Sequence, residues 1–290
     1  MKPLLLHKMQ GCGNDFLIAD ASEGNPPDLT AGSIRRICHR QLGVGADGLF
    51  VLLPPKAGGD AAWTFYNSDG SLAEMCGNAA RCAIRFLAER RFSGAPRPLL
   101  LETRAGVVSG RVLADGRVEV SMPRGKASAI EYQERVLSTE KGPLTLFCIN
   151  SGVPHAVIEV KDILSYPIRE IGRLLVRHAA FSPEGTNVTF YQRMSGNRIR
   201  ATTFERGVEN ETLACGTGAV AAALVYTERY LEKFPIEVAV PGGALSVEIE
   251  SGSKTLLLTG PAEWVFTLEY VGSSEPFDPP GLYSEHRRPI

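Results

Sequence analysis

The sequence lacks a long apolar run, an excess of charge of one sign and any C-x-x-C pair. The longest apolar stretch, residues 213–225, is shorter than the roughly 20 residues that cross a bilayer, so we expect no membrane partner. Lysine plus arginine (31) nearly balance aspartate plus glutamate (32) without a basic stripe, which argues against a nucleic-acid partner. The spacing of the six cysteines suits neither zinc nor a disulfide framework, which favours a cytoplasmic protein with reduced thiols.

Motifs for nucleotides and metals are also missing. The glycines at residues 43–48 satisfy G-x-G-x-x-G, but they follow a helix-like pattern at residues 34–42 and not a strand, so the dinucleotide interpretation fails. The sequence has neither a phosphate-binding P-loop motif nor an H-x-x-x-H pair. We therefore expect no cofactor and no metal, and the expected partner is a small molecule.

Two segments 139 positions apart resemble each other. Each begins with Cys-Gly, at Cys76 and at Cys215, and continues with apolar residues at helical spacing. Strand-like apolar runs precede both segments. Strand patterns separated by glycine turns follow both of them and end near residues 123 and 261.

A repeat of this length indicates two homologous domains and not a solenoid. We expect an α/β (α+β) fold with two pseudo-symmetric domains, each a mixed or antiparallel sheet wrapped around a central helix, and an active site in the cleft between them. The first domain is predicted at residues 1–122 and the second at residues 123–263. A strand within about 264–275 is predicted to return to the first domain, and residues 276–290 are predicted to form an irregular tail.

The two Cys-Gly helix starts suggest a specific chemistry. A cysteine at the first turn of a helix lies beside unpaired backbone N–H groups and the positive end of the helix dipole, which favour the thiolate. The N–H groups of Gly77, Asn78, Gly216 and Thr217 are predicted to bind one carboxylate. A substrate held there would have a sulfur on each face of its α-carbon. One thiolate could then remove the α-proton while the opposite thiol delivers another, as in a racemase or epimerase without a cofactor.

The other four cysteines are interpreted as structural. They are Cys12, Cys38, Cys82 and Cys148. Cys82 lies inside the helix that begins at Cys76, and Cys148 lies in an apolar run.

The segment around the first cysteine resembles the diaminopimelate epimerase family. Residues 67–81, Asn-Ser-Asp-Gly-Ser-Leu-Ala-Glu-Met-Cys-Gly-Asn-Ala-Ala-Arg, match the family's signature around its first catalytic cysteine. Further matches lie at residues 11–16, 43–48, 154–157, 183–188 and 205–218, so the resemblance spans roughly residues 7–260. It implies conversion of LL-2,6-diaminopimelate to the meso form by Cys76 and Cys215, in lysine and cell-wall precursor synthesis. We also expect a homodimer.

The resemblance implies roles for further residues. It predicts that the substrate, particularly the end that is not inverted, is held by Asn14, Asn67, Asn187, Glu205 and Arg206. Amides offer donors and acceptors to an amino acid, and an arginine can bind a carboxylate through two hydrogen bonds. Glu205 is also a candidate for tuning Cys215, and His155 is a candidate for tuning the other thiol.

Two positions depart from the family pattern. Gly48 and Val153 stand where some members carry a glutamine and an asparagine, so some substrate contacts are expected to differ. Two other functions stay open: a related racemase of the proline or hydroxyproline type, and a non-catalytic amino-acid-binding protein that uses the same cleft. The appearance of product without added cofactor would distinguish an epimerase from a binding protein.

Overall fold

The computed structural model describes residues 3–122, 132–251, 253 and 255–272. These residues form α-helices α1 (Ala31–Cys38), α2 (Gly77–Arg90), α3 (Ile168–Val176) and α4 (Gly216–Tyr230), and a short 3-10 helix (Ala179–Phe181). The strands are β1 (Leu4–Gly11), β2 (Asn14–Asp20), β3 (Gly48–Leu53), β4 (Ala61–Asn67), β5 (Leu72–Ala73), β6 (Leu99–Thr103), β7 (Gly106–Val112), β8 (Val118–Met122), β9 (Gln133–Thr139), β10 (Gly142–Asn150), β11 (Pro154–Glu159), β12 (Asn187–Arg193), β13 (Arg198–Glu205), β14 (Asn210–Glu211), β15 (Ile236–Val240), β16 (Gly243–Ile249), β17 (Leu256–Gly260) and β18 (Glu263–Tyr270).

The strands form two similar ladders, one for each half of the chain. The first runs β18-β1-β2-β3-β4-β6-β7-β8, and the second runs β9-β10-β11-β12-β13-β15-β16-β17. In each ladder two pairs are parallel, β2–β3 and β4–β6 in the first and β11–β12 and β13–β15 in the second, and the other pairs are antiparallel. Helix α2 packs on strands of the first ladder and helix α4 on strands of the second. The predicted mixed sheet around a central helix is confirmed.

The two ladders join at one antiparallel pair of strands. Five residues of β8 pair with five of β17, from Met122 opposite Leu256 to Val118 opposite Gly260. The backbone hydrogen bonds of the sheet therefore continue from one half of the chain into the other.

Helices α2 and α4 are buried because small and aliphatic residues cover most of their surface. Ten residues of α2 are buried, including Ala79, Ala80, Ala83 and Ile84. Helix α4 carries Ala219 through Ala223 with only Val220 larger than alanine, and all five are buried. A helix that is apolar on every side is stable only when other elements surround it, as the sheets do here.

The last described strand returns to the start of the chain. Strand β18 pairs antiparallel with β1, from Tyr270 opposite Leu4 to Glu263 opposite Gln10. The division into residues 1–122 and 123–263 stays a prediction. The expected irregular tail, residues 276–290, lies outside the described residues, as do residues 123–131 at the predicted boundary.

Helix α1 differs from its predicted position at residues 34–42. It begins earlier because Thr30 caps it: the Thr30 hydroxyl accepts from the Ser33 N–H, and the Ser33 hydroxyl accepts from the Thr30 N–H. It ends earlier because the chain folds back on the last turn, where a Cβ on Gly43 would lie 1.9 Å from the Arg36 carbonyl oxygen. The predicted bounds of this helix are wrong at both ends.

Among the helices of the described residues, none combines the length and the apolar character needed to cross a membrane.

Candidate active site

The N-terminal ends of helices α2 and α4 meet. Each helix begins at a glycine, Gly77 or Gly216, and the cysteine before that glycine has extended backbone. A Cβ placed on Gly216 would lie 3.8 Å from the Gly77 Cα, and a Cβ on either glycine would lie 3.0–3.1 Å from the Leu258 Cδ2. A side chain at either position would require Leu258 to shift by a few tenths of an ångström. The fold thereby brings Cys76 and Cys215 into one region.

Cys76 is half-buried and lies beside two asparagines. Its Sγ donates to the Asn14 Oδ1 at 3.7 Å, and that same oxygen accepts from the Asn78 Nδ2 at 3.1 Å. Burial raises the pKa of the Cys76 thiol, whereas the backbone N–H groups of Ala79 and Asn78 lower it. The helix terminus lowers the pKa of the Cys76 thiol, as the sequence indicates. Burial raises this pKa by more, so it lies above its usual value.

Cys215 lies beside a hydroxyl and a carboxylate. Its Sγ is 3.4 Å from the Thr217 Oγ1. Burial raises the pKa of this thiol, and the negative charge of Glu205 raises it further, while the Thr217 hydroxyl and the Gly218 N–H lower it. Glu205 accepts from the Thr212 hydroxyl at 2.6 Å, and burial raises the pKa of its carboxyl. The charge of Cys76 also raises the pKa of Cys215.

His155 lies on the Cys215 side of the site. Its Nε2 is 3.0 Å from the Thr217 Oγ1, which in turn contacts Cys215, and its Nδ1 is 2.9 Å from the Thr189 Oγ1. Burial, with a smaller contribution from Arg206, lowers the pKa of His155 to about 3, so the imidazole is neutral. The sequence interpretation assigned His155 to Cys76. The side-chain hydrogen bonds of His155 go to two threonines, of which Thr217 contacts Cys215, so the effect of His155 on either thiol stays a prediction.

The sequence analysis missed the threonines that complete this network. The Thr189 hydroxyl lies 3.0 Å from the Thr203 hydroxyl, and both residues are buried on neighbouring strands β12 and β13. These threonines are hard to identify from the sequence, because threonine is common in strands. The alternation of residues along a strand does not show whether a threonine hydroxyl points into the site. A Cβ on Gly218 would lie 2.2 Å from the Thr203 Oγ1, so this glycine gives helix α4 its close approach to the strand.

The remaining predicted contacts lie in two places. Asn187 is buried, and its Oδ1 accepts from the Arg206 N–H at 2.9 Å, while the Arg206 guanidinium donates to the Glu184 carbonyl oxygen. Asn67, at the end of β4, is exposed and donates to the Ser71 hydroxyl at 3.0 Å. The structure thus joins Asn187 to Arg206, and Asn14 to Cys76, but the side chain of Asn67 contacts none of these.

The departure at Gly48 has a packing cause. Gly48 pairs with Asn67 across β3 and β4, and a Cβ on Gly48 would lie 2.8 Å from both the Phe65 ring and the Tyr66 carbonyl oxygen. A glutamine at this position would require the strands to shift.

Comparison with known proteins gives consistent matches over most of the chain. The sequence model of a family described as diaminopimelate epimerase matches residues 6–130 and 147–265. The chain is 39% identical over 271 residues to diaminopimelate epimerase of Aquifex aeolicus, which covers 89% of this chain and 95% of that relative. It is 37% identical over 277 residues to diaminopimelate epimerase of Synechocystis, with 91% and 98% covered.

A solved structure of low sequence identity has the same fold. The structure of a hydroxyproline epimerase from Agrobacterium vitis matches with a TM-score of 0.69 at 17% identity, covering 92% of each chain. At this identity the likeness shows a shared architecture and no more.

Proposed function

The chain belongs to the diaminopimelate epimerase family and is an isomerase, and on that premise we propose that it converts LL-2,6-diaminopimelate to the meso form without a cofactor. In this proposal Cys76 and Cys215 are the two proton carriers. The observation that carries it is the meeting of two helix ends, each preceded by a cysteine, at Gly77 and Gly216. The reaction would serve lysine and cell-wall precursor synthesis.

In the proposed mechanism the substrate α-carboxylate binds where the helices meet. The backbone N–H groups at the first turns, those of Gly77, Asn78, Gly216 and Thr217, are the proposed donors, and the positive helix ends favour the negative charge. Binding the carboxylate there also stabilises the negative charge that develops when the α-proton leaves.

Proton transfer then involves one thiol on each face of the α-carbon. A thiolate takes the α-proton and becomes a thiol, the electron pair stays on the α-carbon, and the opposite thiol donates its proton and becomes a thiolate. The enzyme ends with its single negative charge on the other sulfur. Burial raises the pKa of both thiols, so whichever sulfur is ionised is a stronger base than an exposed cysteine.

The distal end of the substrate is proposed to bind Asn14, Asn67, Asn187, Glu205 and Arg206. Support comes from the pairing of Asn187 with the Arg206 backbone and from the exposed position of Arg206 beside a buried site. Glu205 is proposed to tune Cys215, whose pKa its charge raises. His155 is proposed to act on Cys215 through the Thr217 hydroxyl.

The proposal includes a cytoplasmic homodimer. Free cysteines suit a reducing compartment, and all six are unpaired. Three apolar residues, Leu5, Val265 and Phe266, are exposed on the paired strands β1 and β18, which supports this edge as the contact between protomers. Sedimentation of the protein and of Phe266→Asp tests this: we expect a dimer that the substitution weakens, and a wild-type monomer would contradict it.

The proposed reaction is tested by incubating the purified chain with LL-diaminopimelate and separating the stereoisomers over time. We expect the meso form without added cofactor, loss of inversion in Cys76→Ala and in Cys215→Ala, and near-normal turnover in the matched control Cys82→Ala. Removing either proton carrier leaves one face of the α-carbon without a positioned acid or base.

L-proline is the substrate control for a related racemase. Racemisation of L-proline with no action on diaminopimelate would contradict the proposed substrate. A requirement for added pyridoxal phosphate would contradict the proposed mechanism.

A further inference from the structure

Two asparagine side chains connect Cys76 to charged groups on opposite sides. The Arg81 Nη2 donates to the Asn78 Oδ1 at 2.9 Å, and the Asn78 Nδ2 donates to the Asn14 Oδ1 at 3.1 Å. The Asn14 Nδ2 then donates to the Asp47 Oδ2 at 2.7 Å. These four residues form one directional chain of hydrogen bonds, which we call the amide relay, and Cys76 contacts it at Asn14.

The ends of the amide relay determine which way each amide faces. A guanidinium has only donors and a carboxylate has only acceptors. Arg81 therefore requires the oxygen of Asn78, and Asp47 requires the nitrogen of Asn14. Reversing either amide would place two donors or two acceptors against each other.

Arg81 is held firmly at one end. It is fully buried on helix α2, and its remaining donors reach backbone carbonyls: Nε donates to the Pro261 oxygen at 3.2 Å and Nη1 to the Gly77 oxygen at 3.4 Å. A buried arginine that moved would leave these groups and its own charge without partners, which is costly.

Asp47 is held at the other end by an ion pair. Its Oδ1 lies 2.7 Å from the Arg40 Nη2, and that same nitrogen lies 2.9 Å from the Asp15 Oδ1. The Asp47 backbone N–H donates to the Asp15 side chain at 3.0 Å. Both carboxylate oxygens of Asp47 are thus fixed, one toward Arg40 and the other toward Asn14.

The orientation has a consequence for Cys76. The atom of Asn14 that faces the sulfur is an oxygen, which can accept from a thiol but repels a thiolate. Cys215 differs, because the Thr217 hydroxyl beside it can rotate to donate or to accept. The amide relay also reaches the second cysteine segment, since the Asn78 Nδ2 donates to the carbonyl oxygen of Ala214, the residue before Cys215.

We propose that Asp47 and Arg81 are positioning residues that fix the amides of Asn14 and Asn78, so that Asn14 presents its oxygen to Cys76 and keeps this cysteine protonated in the unliganded enzyme. The inference rests on the proposed function only for the catalytic role of Cys76. Its test uses the free enzyme and needs no substrate.

The test is the pH dependence of iodoacetamide alkylation in the full chain, followed at Cys76 and Cys215 separately by peptide mass spectrometry. Asp47→Asn removes the carboxylate that requires the Asn14 nitrogen on its side. Reversal of the Asn14 amide toward the thiolate then costs only the hydrogen bond from Asn78, whose Nδ2 keeps the Ala214 carbonyl oxygen as an acceptor. We expect the midpoint for Cys76 to move down by about one pH unit, the order of one hydrogen bond to the thiolate. The midpoint for Cys215 should not move down, because Asp47 influences Glu205 and an ionised Glu205 raises the pKa of this thiol.

Asp60→Asn is the matched control. Asp60 also pairs with an arginine: Arg97 donates to it through two hydrogen bonds of 2.6 and 2.8 Å, but Asp60 forms no hydrogen bond with either asparagine of the amide relay. Its substitution should move neither midpoint. The charged and titratable groups that face Cys76 are Glu205, Arg81, Cys82 and Cys215, and none of them is substituted in either variant. The charge of Asp47 raises the pKa of Glu205, so its removal favours the Glu205 carboxylate, which raises the pKa of both thiols and opposes the expected downward shift.

A double variant with Asn14→Ala distinguishes an effect of Asp47 on the orientation of Asn14 from a direct effect of its charge on Cys76. In Asn14→Ala there is no amide to orient, so adding Asp47→Asn should move the Cys76 midpoint no further. An equal shift in both backgrounds would show that Asp47 acts through space and would overturn the proposal. Absence of a shift in Asp47→Asn alone would also overturn it.

If Asp47→Asn does not fold, a neutron structure of the unliganded wild-type protein tests the orientation of the Asn14 amide directly. We expect deuterium on the Asn14 nitrogen toward Asp47 and on the Cys76 sulfur, and the reversed amide would overturn the proposal. If the Cys76 midpoint shifts as expected but LL-diaminopimelate is not epimerised, the proposed function fails and the positioning role stands.

Discussion

At the scale of residues, the site contains a buried chain of hydroxyls around one neutral imidazole. His155 is 1% exposed, and it contacts Thr189 on one side and Thr217 on the other. A motif match around residues 154–157 could single out His155 from the sequence. It could not identify these threonine partners, because strands and helices distant in sequence bring them together.

The neutral state of His155 predicts a pH effect on stability. The pKa of His155 is about 3 in the folded protein, against an ordinary histidine value of 6.5 in an unfolded chain, so the unfolded chain binds a proton first as the pH falls. The free energy of unfolding should therefore be unaffected by this group above about pH 6.5. Below that pH it should decrease by up to about 1.4 kcal/mol per pH unit until the folded pKa is reached.

Urea denaturation at several pH values checks this expectation. His155→Gln has no such group, so its free energy of unfolding should fall less steeply than that of the wild type between about pH 6.5 and pH 4. Parallel slopes for His155→Gln and the wild type would contradict a neutral buried imidazole.

At the scale of elements, helix α4 depends on a glycine at its third position. Alanine is normally favoured over glycine inside a helix by about 1 kcal/mol. At Gly218, however, a Cβ would lie 2.2 Å from the Thr203 Oγ1 and 3.1 Å from the Thr189 Oγ1, so helix and strands would have to separate.

We expect Gly218→Ala to lower the free energy of unfolding by about 1–3 kcal/mol, as overpacking does, despite the better helix propensity. Thermal or urea denaturation measures the change. Thr203→Ala removes the closest clashing atom, so the double variant should be more stable than the sum of the two single effects predicts. Strict additivity would show that the two side chains do not clash.

The sequence predicted the elements that occur in both repeats but missed helix α3, although it buries Ile171 and Leu175. Helices α2 and α4 and strands β15–β17 were recognisable because their apolar periodicity is strong. Strand β9 was not predicted: among the described strands it pairs only with β10, its side chains are mostly exposed, and its sequence alternates weakly. The bounds of helix α1 depended on a cap at Thr30 and a close turn at Gly43, which are local contacts that periodicity does not report.

At the scale of the whole molecule, the last described strand belongs spatially to the first half of the chain. Trp264 of β18 packs against Phe86 of helix α2 and His7 of β1, with ring centroids 5.5 and 5.7 Å apart, and its Nε1 donates to Glu89 at 2.6 Å. The return of this strand was predictable, since no counterpart to it exists inside the second repeat. The mutual orientation of the helix ends was not, because it depends on the packing of both halves.

Trp264→Ala should therefore destabilise the first half of the chain more than the second half. We expect a loss of about 1–3 kcal/mol in the free energy of unfolding and faster amide hydrogen exchange in helix α2, with helix α4 little changed. Val107 of strand β7, in the same half of the chain, is 50% exposed, so Val107→Ala is the matched control and should change neither quantity appreciably. Equal acceleration of exchange in both helices would show that the two halves unfold as one unit.

In the proposed reaction two different sulfurs carry protons on opposite faces of one α-carbon. The most direct measurement is epimerisation of LL-diaminopimelate in D₂O, stopped early, with deuterium counted in the product and in the recovered substrate. The thiolate that takes the substrate proton holds hydrogen, whereas the opposite thiol carries deuterium from the solvent. We expect meso product labelled at the inverted carbon and substrate that stays largely unlabelled. Equal early labelling of substrate and product would indicate a single shared base and would contradict the claim.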